Sequence, residues 1–436
     1  MLGPDEPRYA AIGRAMADSG DWITPRLWGT AWFEKPALLY WMTAAGFKAG
    51  LGPDLAPRLP VALLSVCFLI YFFLALRRAV GLTAASYATA ILATCAGWLA
   101  YSRVAVTDLP MSAAFAAAML VVLNGPLRGG VTSVTPALIA GILLGFAVLA
   151  KGLVPIVLFL PAVWFLRRHL RDLLCLSGAA LVIALPWYAL VTLRNGAPFL
   201  NEFFWKHHFE RFTTTALQHP QPFWFYVPVL AAGLFPWSPL LFLLFQRRLY
   251  TKNPAPYLLA WISWGFLFFS LSRNKLPGYL LPLMPAVASL AGIALAQARQ
   301  SAAGVACALA ASAALLSLVP AVSQFLPHAL IAGASHTPIQ FSFAWVPSAV
   351  VAAVLAGFLE MSRHRAAAVA MIALFMTLSI GSFIWRMYPQ LDRLASARFI
   401  WNSSKNSMTC GPPSLNRAQR YGLYYYAGVS LPDCNR

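Results

Sequence analysis

The 436 residues carry a formal net charge of +19, yet only 10% of them are charged and 60% are hydrophobic. That balance lies far outside soluble composition and excludes a water-soluble domain built around one core. Nor does it leave room for a basic soluble domain, so the excess of Lys and Arg indicates no nucleic-acid partner.

In chain order, residues 1–56 form a polar segment with two short helices expected to lie on a membrane surface. Pro7 suits the first turn of a helix running to about Asp18, with Ile12, Ala15 and Met16 on one side and Gly20 as its stop. A second starts at Pro36, carries Leu38, Leu39, Trp41 and Met42, and ends near Gly50; its Trp and Tyr content suits an interface. Between them, DWITPRLWGTAWFEKP reads as extended and aromatic. About twelve apolar runs come next, at 57–76, 83–101, 109–124, 136–150, 153–166, 173–193, 225–246, 256–272, 279–297, 302–322, 343–360 and 366–386. Each is long enough to cross or nearly cross a ~30 Å hydrocarbon layer. Alternating ten-residue segments are absent, so the spans are expected to be helices, giving an all-α polytopic membrane domain over 57–386 and a tail over 387–436.

Orientation is set by the short loops. Arg77-Arg78, Arg128, Arg167-Arg168-Arg171, Arg247-Arg248-Lys252, Arg299 and Arg363-Arg365 fall in every second one, which places those loops in the cytoplasm. Of the 13 Asp and Glu residues, only Asp172 and Glu360 then sit inside. The others face outward, and none lies within an apolar run near the bilayer midplane, where a secondary transporter would keep its coupling carboxylates. The same alternation implies a helix running inside to outside ahead of Met1, since residues 1–56 have no signal peptide to carry them across.

Several stretches, DEPRYA, SGDWITPRLWG, FEKPALLYW, RVAVTDLPM, AVLAKG, NEFFWKHHFERF, FPWSP and SRNKLPGYLLPLMP, together resemble the lipid A aminoarabinose transferase (ArnT-like) family. That family is a branch of the GT-C glycosyltransferases related to protein O-mannosyltransferases. The likeness extends from the first residues to about residue 290 and thins beyond. It implies a GT-C fold whose first helix precedes this chain, and transfer of a sugar, 4-amino-4-deoxy-L-arabinose as first expectation, to lipid A or another envelope acceptor. Rival expectations are a protein or glycan acceptor within the class and a lipid-linked sugar flippase outside it.

An enzyme working on the outer face has no access to cytoplasmic nucleotide sugars, so the expected donor is a sugar on a polyprenyl phosphate. Departure of that phosphate develops charge that positioned cations stabilise. Outward-facing candidates are Arg8, Lys35, Arg103, Lys151, His207, His208, Arg211, Arg273 and Lys275. The resemblance makes Asp5 the carboxylate that aims or deprotonates the acceptor; the alternative is that Asp5 and Glu6 merely favour the positive end of a helix. It also places Lys35, beside Glu34, on the donor phosphate or the catalytic Asp, and makes Asp108 a second acidic site residue. Solvated pairing and helix capping are the structural alternatives for these. Lys151 suits phosphate binding or simple snorkelling, and Lys275 with Tyr279 match a motif facing the donor phosphate. Glu6, Arg8 and Tyr9 complete the expected substrate-binding set. His207 and Arg211 are expected on one face of a helical turn. Glu34 with a histidine gives two mixed ligands, too few to argue a divalent metal, and no other cofactor is expected. In the tail, Cys410 and Cys434 suit a disulfide in an oxidising exterior; Cys67, Cys95, Cys175 and Cys307 read as packing residues. Tyr421 to Tyr426 suit either acceptor support or packing against the outer segment.

Overall fold

In the computed structural model the described residues are 3–128, 133–210, 221–251, 254–332, 343, 346–404 and 408–434. Helix α1 (Asp5–Ser19) opens with two acids in its first turn and closes on Gly20, whose φ of 73° lets its N–H reach the Met16 carbonyl. A two-residue hairpin, β1 (Arg26–Leu27) with β2 (Thr30–Ala31), occupies the expected extended stretch. Helix α2 (Leu38–Lys48) crosses α1 so tightly that a Cβ on Gly13 would strike Thr43. Tyr9, Ile12 and Met16 are buried at this contact, which ties the first segment to the main core.

Beyond it, α3 (Leu59–Val80) shows why the composition is so apolar. Its inner face buries Val61, Phe68, Phe72 and Leu76, while its opposite face exposes Leu63, Val66, Ile70 and Leu74. A helix apolar on both faces is stable only where hydrocarbon replaces water. Among the described residues, five helices are long and apolar enough to cross a membrane: Leu59–Val80, Leu170–Asn195, Pro277–Gln297, Ala303–Phe325 and Arg365–Leu394. Shorter apolar helices are α4 (Leu82–Thr94), α6 (Asp108–Asn124), α7 (Thr135–Lys151), Ala255–Leu271 and Val346–Met361; α5 (Ala96–Tyr101) extends α4 beyond a break at Cys95. The run 153–166 forms two pieces, α8 (Val154–Leu158) and α9 (Leu160–Leu166).

The run at 225–246, expected as one span, is instead bent by 114° between Phe223–Gly233 and Ser238–Phe245. Pro236 and Pro239 account for this, since each fixes φ and removes an amide donor. Cys67 and Cys307, expected as packing residues, lie exposed on helix faces, whereas Cys95 is buried. The helix Arg365–Ala395 continues past the expected boundary at residue 386.

Two packing devices fix the helices against one another. Helix α7 presents Gly141 and Gly145 to α10 (Leu170–Asn195), where added Cβ atoms would meet the Leu176 carbonyl and the Ile183 side chain. This small-xxx-small spacing permits close backbone approach where no hydrophobic effect drives helices together. At the opposite end, buried Arg365 binds Glu360 at 2.6 and 2.9 Å and caps the carbonyls of Ala298 and Arg299.

Candidate active site

Residues of the first 56 and the adjoining ends of α5, α6, α7 and Ala255–Leu271 line a cavity of about 530 Å³. Eight of the expected residues line it: Asp5, Tyr9, Glu34, Lys35, Asp108, Lys151, His207 and Tyr279. One wall is charged and the other, with Leu153, Val154, Val157, Phe268, Phe269 and Leu276, is apolar.

Asp5 stands at the first residue of α1, favoured there by the positive end of the helix. Its carboxylate pairs with Arg8 yet is 49% exposed, against 11% for that of Glu34, so Asp5 is the more accessible of the two acids. Glu34 serves as a hub. It accepts from Lys35 Nζ at 3.1 Å, from Arg8 Nη1 at 3.2 Å and from the Tyr9 hydroxyl at 3.3 Å. Burial pushes the Glu34 carboxyl up, but Lys35 and then Arg8 outweigh it and hold the group well below the usual carboxylate range. Burial chiefly, with Glu34 and Asp5 adding to it, pushes the Tyr9 phenol well above its ordinary value, which keeps it a donor.

On the facing side, Asp108 begins α6 and accepts from Lys151 Nζ at 2.5 Å. Its carboxylate faces Lys151 rather than acting as a side-chain cap, and Lys151 in turn lies 4.8 Å from the centre of the Tyr279 ring. Lys151 therefore points into the cavity instead of snorkelling away. Gly278 makes this corner possible, because a Cβ there would collide with the Tyr101 hydroxyl and Asp108 Oδ1.

Three expected substrate ligands do not line the cavity. Glu6 is 1% exposed and accepts two 2.7 Å bonds from Arg58 and a third from the Ala105 amide. Its burial raises the pKa, yet Arg58 lowers it further, so the carboxylate stays ionised as a structural anchor. Arg8, expected as a candidate cation for the leaving phosphate, is buried and binds Asp5 and Glu34. A buried guanidinium requires such partners, and here they are the site's own carboxylates. Lys275 is buried too and donates to the Gln221 carbonyl and to that of Ser272, behind the cavity wall that Ser272 helps to form.

His207 Nε2 lies 3.2 Å from Glu202 Oε1 in Asn201–Glu210, which winds as a π-helix. The expected pairing of His207 with Arg211 presumed α-helical spacing; Arg211 and the His208 side chain lie outside the described residues. Among the described residues no group of three or more His, Cys, Asp or Glu side chains is placed to hold a metal. Sequence reasoning missed Arg58, Tyr101 and Gly278. For Arg58 a signal existed: a cation at a helix N-terminus opposes the helix dipole and calls for an acid.

Residues 2–214 match the family model described as dolichyl-phosphate-mannose-protein mannosyltransferase. The undecaprenyl phosphate-alpha-4-amino-4-deoxy-L-arabinose arabinosyl transferase of Pseudomonas aeruginosa is 36% identical over 309 residues, covering 67% of this chain and 55% of that protein. The protein of the same name from Serratia proteamaculans is 34% identical over 307 residues, covering 66% and 54%. The chain thus spans about half the length of the curated relatives it matches. The crystal structure of ArnT from Cupriavidus metallidurans bound to undecaprenyl phosphate superposes with a TM-score of 0.78 at 28% identity, over 99% of this chain and 81% of that one. The paired carboxylates and lysines, the helical frame around them and these likenesses converge: the chain belongs to the ArnT-like family of the GT-C glycosyltransferases, related to the protein mannosyltransferases.

Proposed function

We propose that the chain is a polytopic membrane glycosyltransferase with outward-facing segments at 1–56 and 387–436. It moves a sugar, 4-amino-4-deoxy-L-arabinose by likeness to its relatives, from a polyprenyl phosphate to lipid A or another envelope acceptor on the periplasmic face of the bacterial inner membrane. The single observation that carries this reading is the cavity itself: a half-exposed Asp5 shares it with Lys35, Lys151 and an apolar wall. Such a wall suits isoprene units, and the lysines suit the phosphate to which they are attached.

The acceptor oxygen attacks the anomeric carbon as the bond to the phosphate oxygen breaks, with inversion. Asp5 takes the proton of a hydroxyl acceptor, or orients a phosphate acceptor that is already ionised. Lys35 and Lys151 balance the charge that grows on the leaving phosphate. A protein acceptor is the second reading, favoured by the mannosyltransferase model matched over residues 2–214. The test is mass spectrometry of lipid A, envelope glycans and membrane proteins from cells with and without the full-length protein. A lipid A mass increment lost with Asp5→Asn is the expected result; unchanged masses in every fraction overturn the assignment.

A further inference from the structure

The C-terminal helix Arg417–Ala427 touches the site without lining the cavity. Asn416 and Gln419 cap its start reciprocally, and the Cys410–Cys434 disulfide closes the loop that contains it. Tyr425 donates to the Pro53 carbonyl at 2.6 Å and Tyr426 to Asp54 Oδ1 at 2.7 Å, while Arg14 donates to the Tyr425 carbonyl. So docked, the helix brings the Tyr421 ring centre to 5.5 Å from the Arg8 guanidinium, which lies at the same distance from the Trp32 ring. Tyr421 and Tyr424 also grip Trp28, at 5.6 and 5.2 Å, where the hairpin turns through a left-handed residue with φ 49°.

Guanidinium faces are weakly hydrated and stack on aromatic rings, leaving the edge N–H groups to make hydrogen bonds. Arg8 directs those donors at Asp5 and Glu34. Asp5 is half exposed, so packing alone does not fix its carboxylate.

We propose that Tyr421 is a positioning residue for the transfer: its ring holds the Arg8 guanidinium where it binds Asp5 and Glu34 together, and thereby aims Asp5 into the cavity. This rests on the reading of Asp5 as the acceptor-facing carboxylate. The far end of the chain, outside the stretch of strongest resemblance, is in this way part of the site's geometry.

The test compares Tyr421→Phe, which keeps the ring, with Tyr421→Leu, which keeps apolar bulk alone, in the purified full-length protein. Phe is expected to retain turnover within about two-fold, whereas Leu lowers kcat about tenfold with the donor KM and the melting temperature little changed. In an Arg8→Lys background, Tyr421→Leu is expected to add little, because both changes remove one interaction. Equal loss in Phe and Leu, or a fully additive double variant, overturns the proposal. An activity-independent arm tracks phenylglyoxal modification of Arg8 by peptide mass spectrometry. Arg8 should react slowly in the parent and Phe proteins and faster in Leu. Equal reactivity in all three also overturns it, whereas a parent protein that shows this protection but transfers no sugar overturns the functional reading instead.

Discussion

At the scale of single residues, the two adjacent acids that open α1 divide the work. Asp5 keeps half its surface in the cavity; Glu6 is sealed behind it against Arg58. Substitution should separate them. Asp5→Asn is expected to leave folding and donor binding intact while lowering turnover by about 10²–10⁴-fold if Asp5 acts as general base, and less for an ionised acceptor. Turnover and donor affinity measured on the same preparation check this. Glu6→Gln removes one partner of a buried pair and should cost about 3–5 kcal/mol of stability, read as a lower melting temperature. The folded pKa values of Glu6 and Glu34 both lie below the ordinary 4.5. For such depressed groups the stabilisation is complete above the unfolded value and fades as pH falls through the folded one. Melting temperature should therefore fall as pH drops below about 4.5, more steeply in the parent protein than in Glu6→Gln. Identical slopes would show that the Arg58 pair is not what holds the segment in place.

At the scale of elements, the site depends on where helices end. Asp108 is the first residue of α6 and Lys151 the last of α7, so their 2.5 Å contact requires these helices to stop at one depth. Gly278→Ala should disturb that corner directly, since the added carbon meets both Tyr101 and Asp108. A kcat loss of about tenfold with the helical circular dichroism unchanged is expected; parent-like turnover would show that the corner yields freely. Much of this was legible in the sequence. Pro7 and Gly20 mark the limits of α1, and the order of short motifs gathers eight of the expected residues in one cavity. The orientation of charged side chains was not legible. Nothing local in PDEPRYA distinguishes the acid that faces the cavity from the one that meets Arg58, 52 residues away. Likewise, Arg8 reads as a candidate for the leaving phosphate until its two carboxylate partners are seen. The apolar run at 225–246 gave length without direction, and its prolines impose the bend that composition hides.

At the scale of the whole molecule, the decisive matter is sidedness. The cavity lies among residues of the first 56 and the helix ends beside them, and the basic loops lie at the alternate turns. A lipid-borne donor is required only if the cavity opens outward; from the cytoplasm, a soluble nucleotide sugar would serve equally well. Single cysteines probe this without any assay of transfer. Ser19 and Arg168 are both exposed, the first closing α1 and the second between α9 and α10. The native thiols interfere little, since Cys410 and Cys434 are paired and Cys67, Cys95, Cys175 and Cys307 lie in apolar helices or at their ends. In intact spheroplasts, a membrane-impermeant maleimide is expected to label Ser19→Cys at once and Arg168→Cys only after permeabilisation. The reverse pattern would put Asp5 and Lys35 in the cytoplasm, remove the need for a polyprenyl carrier, and leave the apolar wall of the cavity to some other ligand.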